Sequence, residues 1–152
     1  MADKSELKQQ VLFSELNDAE LGTIAGKIAV ENYPKGKAIF KAGEPTKGIY
    51  MVKKGKVEIS LNTADGWKQP LAILTDNQIF GELSVIEDKK NHGADATAIE
   101  ATDVYRLKTE DFKAFEKSDT DMMYKIMKTI ARIASKKVNA TNEKLMKLLI
   151  SY

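Results

Sequence analysis

Ile79-Phe80-Gly81-Glu82-Leu83-Ser84, with Ala96-Thr97 twelve residues further on, is the segment on which the architecture of this chain turns. A glycine lets the backbone come close to a ligand where a Cβ would block it. Successive free amides after such a turn form an anion-binding concavity, and the neighbouring Glu82 carboxylate can accept from sugar hydroxyls. Amides for a phosphate and a carboxylate for a ribose together describe a pocket for a nucleotide-type ligand.

Outward from that bend, the hydrophobic period divides the chain into three zones. From Tyr33 to Leu107 the period is short, and Pro34-Lys35-Gly36, Ala42-Gly43-Glu44-Pro45, Lys54-Gly55, Asp65-Gly66 and Asp76-Asn77 punctuate β-prone runs. Val57, Ile59 and Leu61 alternate with Lys56, Glu58 and Ser60, which marks a half-buried strand. Ile49-Tyr50-Met51-Val52 is expected to meet that strand in a hairpin across Lys53-Lys54-Gly55. Many short strands at this spacing predict a small antiparallel barrel or jelly roll, which hides its strand edges.

Helical periods flank this zone. Residues 5–30 read as helix from the steps of Leu7, Val11, Leu12, Leu16, Leu21, Ile24 and Ile28, with a fresh start capped by Asn17 or Asp18. Thr109 reads as an N-cap for Glu110–Phe115, and Ser118 or Asp119 opens a long helix whose stripe runs Met123, Met127, Ile130, Ala134, Val138, Leu145 and Leu148. The fold class is therefore mixed α+β, mainly β. A single domain over 1–152 has N-terminal helices (1–32), a β-roll (33–108, with the ligand segment at 80–97) and C-terminal helices (109–152).

Composition removes several function classes. With 152 residues the chain can bury roughly 70% of its unfolded surface and needs no staples. It has no cysteine, hence no disulfide framework, thiol nucleophile or thiolate metal site. A single histidine, His92, cannot build a cupin-type metal centre or a Ser/His/Asp triad, so a non-enzyme is expected. The polar start and the lack of any apolar run near ~20 residues predict an intracellular, cytoplasmic protein with no membrane partner. Residues 121–152 hold seven Lys/Arg against two acids, spaced along a helix as a solvated face.

The whole pattern resembles the cyclic-nucleotide-binding domains of catabolite-activator-type regulators, kinase regulatory subunits and nucleotide-gated channels. The likeness runs from Leu12-Phe13-Ser14-Glu15-Leu16 and Glu20-Leu21 through Gly36, Ile39-Phe40, Gly43-Glu44, Ile49-Tyr50, Val52 and Gly55-Lys56-Val57. It continues through Ile79–Ser84, Ala96-Thr97 and Ala101-Thr102-Asp103. It implies that Gly81 permits the turn, Glu82 accepts from a ribose hydroxyl, the amides of Leu83 and Ser84 face the cyclic phosphate, and Ala96-Thr97 closes the phosphate-binding cassette. It also implies that Thr141 and Asn142 on the long helix touch the purine. No cofactor is implied beyond a cyclic AMP or cyclic GMP ligand. The implied function is a stand-alone, non-catalytic sensor signalling through its C-terminal helix to a downstream protein. The same helix would pair two copies in a homodimer, and a chain ending at Tyr152 would not bind DNA by itself.

One element departs from the family. The arginine that grips the phosphate two residues before Ala-Thr falls at Ala94, followed by Asp95, while counting forward from Glu82 reaches His92. Losing a bidentate charged pair costs about 1.5–3 kcal/mol. Lys89 or Lys90 as a point charge, or His92 as a donor, are the conceivable substitutes, although the polar loop around His92 predicts an exposed bystander in preference to a donor. The alternative function is a degenerate relative that binds no cyclic nucleotide and serves as a dimerisation or interaction domain.

Overall fold

Asn17 starts the first substantial helix. Its side chain accepts from the Glu20 N–H and the Glu20 carboxylate accepts from the Asn17 N–H, both at 2.9 Å, which satisfies two orphan donors at once. The structure, a computed structural model, describes residues 2–151, so Met1 and Tyr152 of the expected domain lie outside it. Helix α1 (Lys4–Lys8), a 3-10 turn (Val11–Phe13) and α2 (Asp18–Ala25) precede strands β1 (Ile28–Tyr33), β2 (Ala38–Phe40), β3 (Gly48–Lys54), β4 (Val57–Asn62), β5 (Lys68–Leu74) and β6 (Ile79–Phe80). Helix α3 (Glu82–Ile86), β7 (Asp95–Ala98), β8 (Thr102–Lys108), α4 (Thr109–Ser118) and α5 (Thr120–Ile150) follow.

The strands form two four-stranded antiparallel sheets, ordered β1-β8-β3-β6 and β2-β7-β4-β5. Strand β3 is buried on both faces, which explains its continuous apolar run. Ile49 and Met51 join Leu7, Phe13, Tyr105, Leu107, Phe112, Met122, Ile126 and Ile130 in a core between the first sheet and the helices. Tyr50 and Val52 face the other way, into the roll, with Phe40, Val57, Phe80, Ala96 and Val104. The mixed, mainly β roll expected from the sequence is present.

Three local expectations are corrected. Ile28–Tyr33 is strand, not helix, so the sheet zone begins at Ile28 rather than Tyr33; the four-residue step from Ile24 to Ile28 mimics a helix, but pairing with Thr102–Leu107 provides the backbone partners. Strands β3 and β4 do not form a hairpin ladder, because they lie in different sheets. Gly55, at φ +122°, carries the chain across, and a Cβ there would stand 2.8 Å from the Ala101 carbonyl. Thr109 is the first residue of α4, after Lys108 as the cap residue, and its hydroxyl donates to the Thr46 carbonyl (3.3 Å) instead of capping.

The apolar stripe of α5 also divides. Met123 and Ile130 are buried in the helical core with Met122 and Ile126, while Met127, Val138, Leu145 and Leu148 are exposed. Beyond Ile133, every residue from Ala134 to Ile150 is exposed.

Candidate functional site

Gly81 follows β6 at φ +80° and serves as the cap residue of α3, with no side chain to offer. The first-turn amides of α3, including those of Leu83 and Ser84, have no intrahelical acceptor by geometry. A Cβ on Gly81 would lie 2.7 Å from the Gly48 carbonyl oxygen and 3.3 Å from the Tyr50 ring, so glycine is demanded by both torsion and space. Gly81→Ala is expected to lower stability by about 1–2 kcal/mol from the left-handed torsion alone, and by more once Gly48 is displaced. Urea unfolding checks this; a change within about 0.5 kcal/mol would show that the bend tolerates a side chain.

An aromatic floor holds the bend. Phe80 stacks on Tyr50 with ring centroids 5.0 Å apart, and Phe40 stacks on His92 at 3.6 Å and 8°. His92 is buried, not an exposed bystander: its Nε2 accepts from the Lys47 N–H at 3.1 Å. Burial, reinforced by the Lys47 charge, pushes its imidazolium form down to a pKa of about 4. A neutral ring whose nitrogen is already an acceptor cannot supply a positive charge to a phosphate. His92 falls in the loop that β2–β3 clasps, through Gly43 N–H to the His92 carbonyl and His92 N–H to the Glu44 carbonyl, both 2.9 Å.

Glu82 is the buried carboxylate of the site, with 8% of its side chain exposed. Among the described residues its ion-pair partner is Lys137 of α5, at Nζ···Oε1 3.6 Å, which is too long for a hydrogen bond. Lys137 thus joins the roof helix to the bend. It went unnoticed in the sequence because the pair spans two elements far apart in the chain; its one signal was its place a helical turn before Thr141. Ser84 is buried beside Glu82, whereas the Leu83 side chain is exposed.

The remaining expected residues are distributed differently. Ala96 is fully buried in the roll core, and Thr97 is half-buried on the same strand. The exposed Thr141 donates its hydroxyl to the Lys137 carbonyl (2.8 Å), and Asn142 is exposed beside it. Lys89 pairs with Glu87 at 2.8 Å, while Lys90 is exposed with its carbonyl held by the Thr46 N–H (2.9 Å). Asp95 accepts from the Ala42 N–H (2.7 Å) and from Asn62 Nδ2 (3.3 Å), fastening β7 to its neighbours. The bend therefore presents the buried Glu82 carboxylate as a hydrogen-bond acceptor. Beside it lie the first-turn amides of α3, and position 94 holds alanine where the family resemblance implies an arginine.

Among the described residues no cluster of His, Asp and Glu could hold a metal ion, and no helix is long and apolar enough to cross a membrane. A groove of about 430 Å³ between α1 and α2 lies elsewhere, lined by Lys4, Ser5, Lys8 and Asn17 among others. The lysine tips there are engaged by Asp18 and by the Ser14 and Leu16 carbonyls.

A two-sheet roll with a glycine-led helix start beneath a long helix defines a ligand-binding regulatory fold. The chain belongs to the cyclic nucleotide-binding domain family, which matches residues 30–119. It is 32% identical over 108 residues to the cyclic AMP receptor protein of Thermus thermophilus, covering 71% of this chain and 50% of that one. It is 26% identical over 142 residues to glutaminase 1 of Bradyrhizobium diazoefficiens, covering 93% of this chain but 22% of the glutaminase. The chain thus spans about half or less of the length of these relatives. Among solved structures, the Thermus thermophilus catabolite activator protein superposes with a TM-score of 0.74 at 27% identity, over 91% of this chain and 62% of that one.

Proposed function

We infer that this chain is a non-catalytic regulatory module that senses a ribose-bearing ligand and reports occupancy through α5 to a second copy and a downstream protein in the cytoplasm. The observation that carries this reading is the Glu82–Lys137 pair. The carboxylate offered to the sugar is the same group that holds the roof helix. A hydroxyl donating to Glu82 alters the electrostatic hold on Lys137, and so favours one position of α5 over another. Differential affinity for two helix positions is the requirement for a ligand to shift their populations. Lys137 is followed directly by Val138, one of the exposed residues of the helix stripe, so a change at the bend reaches the surface suited to a partner copy.

Cyclic AMP and cyclic GMP are the ligands the family implies; adenosine and guanosine carry the same ribose. Backbone hydrogen exchange across 131–150, measured with each of the four compounds, tests the reading. Any compound that binds is expected to change exchange in that segment, and Glu82→Gln to remove both binding and change. Binding that leaves α5 exchange untouched, or no binding by any of the four at millimolar concentration, would overturn it.

A further inference from the structure

We propose that the ligand of the Gly81–Ser84 bend is an uncharged nucleoside rather than a phosphate-bearing nucleotide, a refinement that rests on the ribose-sensing reading above. The charge around the bend carries the argument. Residues 80–97 hold four acids (Glu82, Glu87, Asp88, Asp95) and two lysines (Lys89, Lys90). Lys89 is paired within the segment to Glu87, and Asp88 is paired to Lys113 of α4. Glu82 takes up the charge of Lys137, the cation that α5 brings to the bend. Asp95 remains anionic in role, fed by the Ala42 amide and the Asn62 side chain instead of by a cation. His92, beside Gly81, is buried, neutral and already an acceptor from Lys47.

A phosphodiester brought to these amides would therefore find alanine, not a guanidinium, at position 94. It could take Lys137 only by stripping the counter-charge from buried Glu82, and an uncompensated buried carboxylate is costly. A nucleoside avoids both costs. Its hydroxyls donate to Glu82, whose oxygens accept no hydrogen bond from the described residues, and so weaken the pairing with Lys137 without stripping it away. Hydroxyl donation to a charged acceptor is among the stronger hydrogen bonds available to an uncharged ligand.

Calorimetry on the full chain with adenosine, guanosine, cyclic AMP and cyclic GMP decides the matter. Each nucleoside that binds is expected to do so at least tenfold more tightly than its cyclic phosphate, and Glu82→Gln to abolish binding. Ala94→Arg restores a guanidinium at a partly exposed position. It is expected to raise cyclic nucleotide affinity ten- to a hundredfold while changing nucleoside affinity less than about twofold. Lys90→Ala is expected to change nothing. Cyclic nucleotides binding as tightly as their nucleosides, or depending on Lys90, would overturn the proposal and leave the ribose-sensing reading intact. Silence from all four compounds would overturn both.

Discussion

Between pH 6.5 and pH 4 the folded chain is expected to lose roughly 3 kcal/mol of stability through His92 alone. In the unfolded chain the imidazole takes its proton near the ordinary value of 6.5; in the fold, burial first and Lys47 second hold it back until about pH 4. Across that window the unfolded state binds more protons, so stability rises with pH. The contribution is complete above about 6.5, declines as pH falls, and does not decline further below about 4. Glu44 works weakly in the opposite direction. Asp3 and Glu20, whose carboxyls are held below their ordinary values of 3.8 and 4.5 by hydrogen bonds from Ser5 and Lys125, add losses that begin near those values, at the acidic end of this window, and grow as pH falls further. His92→Gln keeps an acceptor for the Lys47 amide but cannot be protonated. The difference between urea unfolding curves of the two proteins from pH 7 to pH 4 isolates the effect. Parallel pH dependences would show that His92 is not sequestered. Because His92 lies against Gly81 and stacks on Phe40, the same titration loosens the loop that frames the bend.

The sequence disclosed the roll through its glycines and alternating strands, because those signals are local. Gly36, Gly43, Gly55, Gly66 and Gly81 all take positive φ, and each falls where a run was read as ending. Connectivity between sheets was less accessible. A lysine-glycine turn looks the same whether it closes a hairpin or, as at Gly55, passes the chain to the other sheet. The bend at Gly81–Ser84 was legible, but the neighbours that set its chemistry were not. His92 lies in a charged stretch, Lys89-Lys90-Asn91, which masks its burial; only the clasp by the β2–β3 loop encloses it. Lys137 is one of several lysines on α5 and is singled out by where the helix passes, which no periodicity encodes. The stripe on α5 reads as one surface, yet two of its seven residues, Met123 and Ile130, belong to the intramolecular core. The residues that face solvent follow a different register, Met127, Ala131, Ala134, Val138, Thr141, Leu145 and Leu148, in steps of four and three.

Leu145→Asp is expected to weaken self-association by at least a hundredfold, with sedimentation equilibrium as the measurement. The reason lies in the length of helix without support. Past the Lys137 contact with the bend, residues 138–150 run for about 20 Å at 1.5 Å per residue, all exposed. A single helix of that length is marginal in water, and six of its apolar side chains (Val138, Leu145, Met146, Leu148, Leu149 and Ile150) are 52–78% exposed. The four-three spacing from Met127 to Leu148 matches the apolar seam required by a two-stranded parallel coiled coil, in which alanines at 131 and 134 would allow close approach. Burying a Leu or Val side chain contributes about 1.5–3 kcal/mol when complete, and a two-fold dimer uses each seam position twice. An aspartate at 145 would therefore place two carboxylates opposite each other where two leucines met, enough for the hundredfold change. Asn139→Asp, off the seam, is the control and is expected to leave association within about threefold. A monomeric parent chain at tens of micromolar, or a Leu145→Asp dimer of unchanged strength, would remove the seam from the account. Lys137 and the bend would then have no partner copy to address, and α5 would have to signal to another protein through these same exposed side chains.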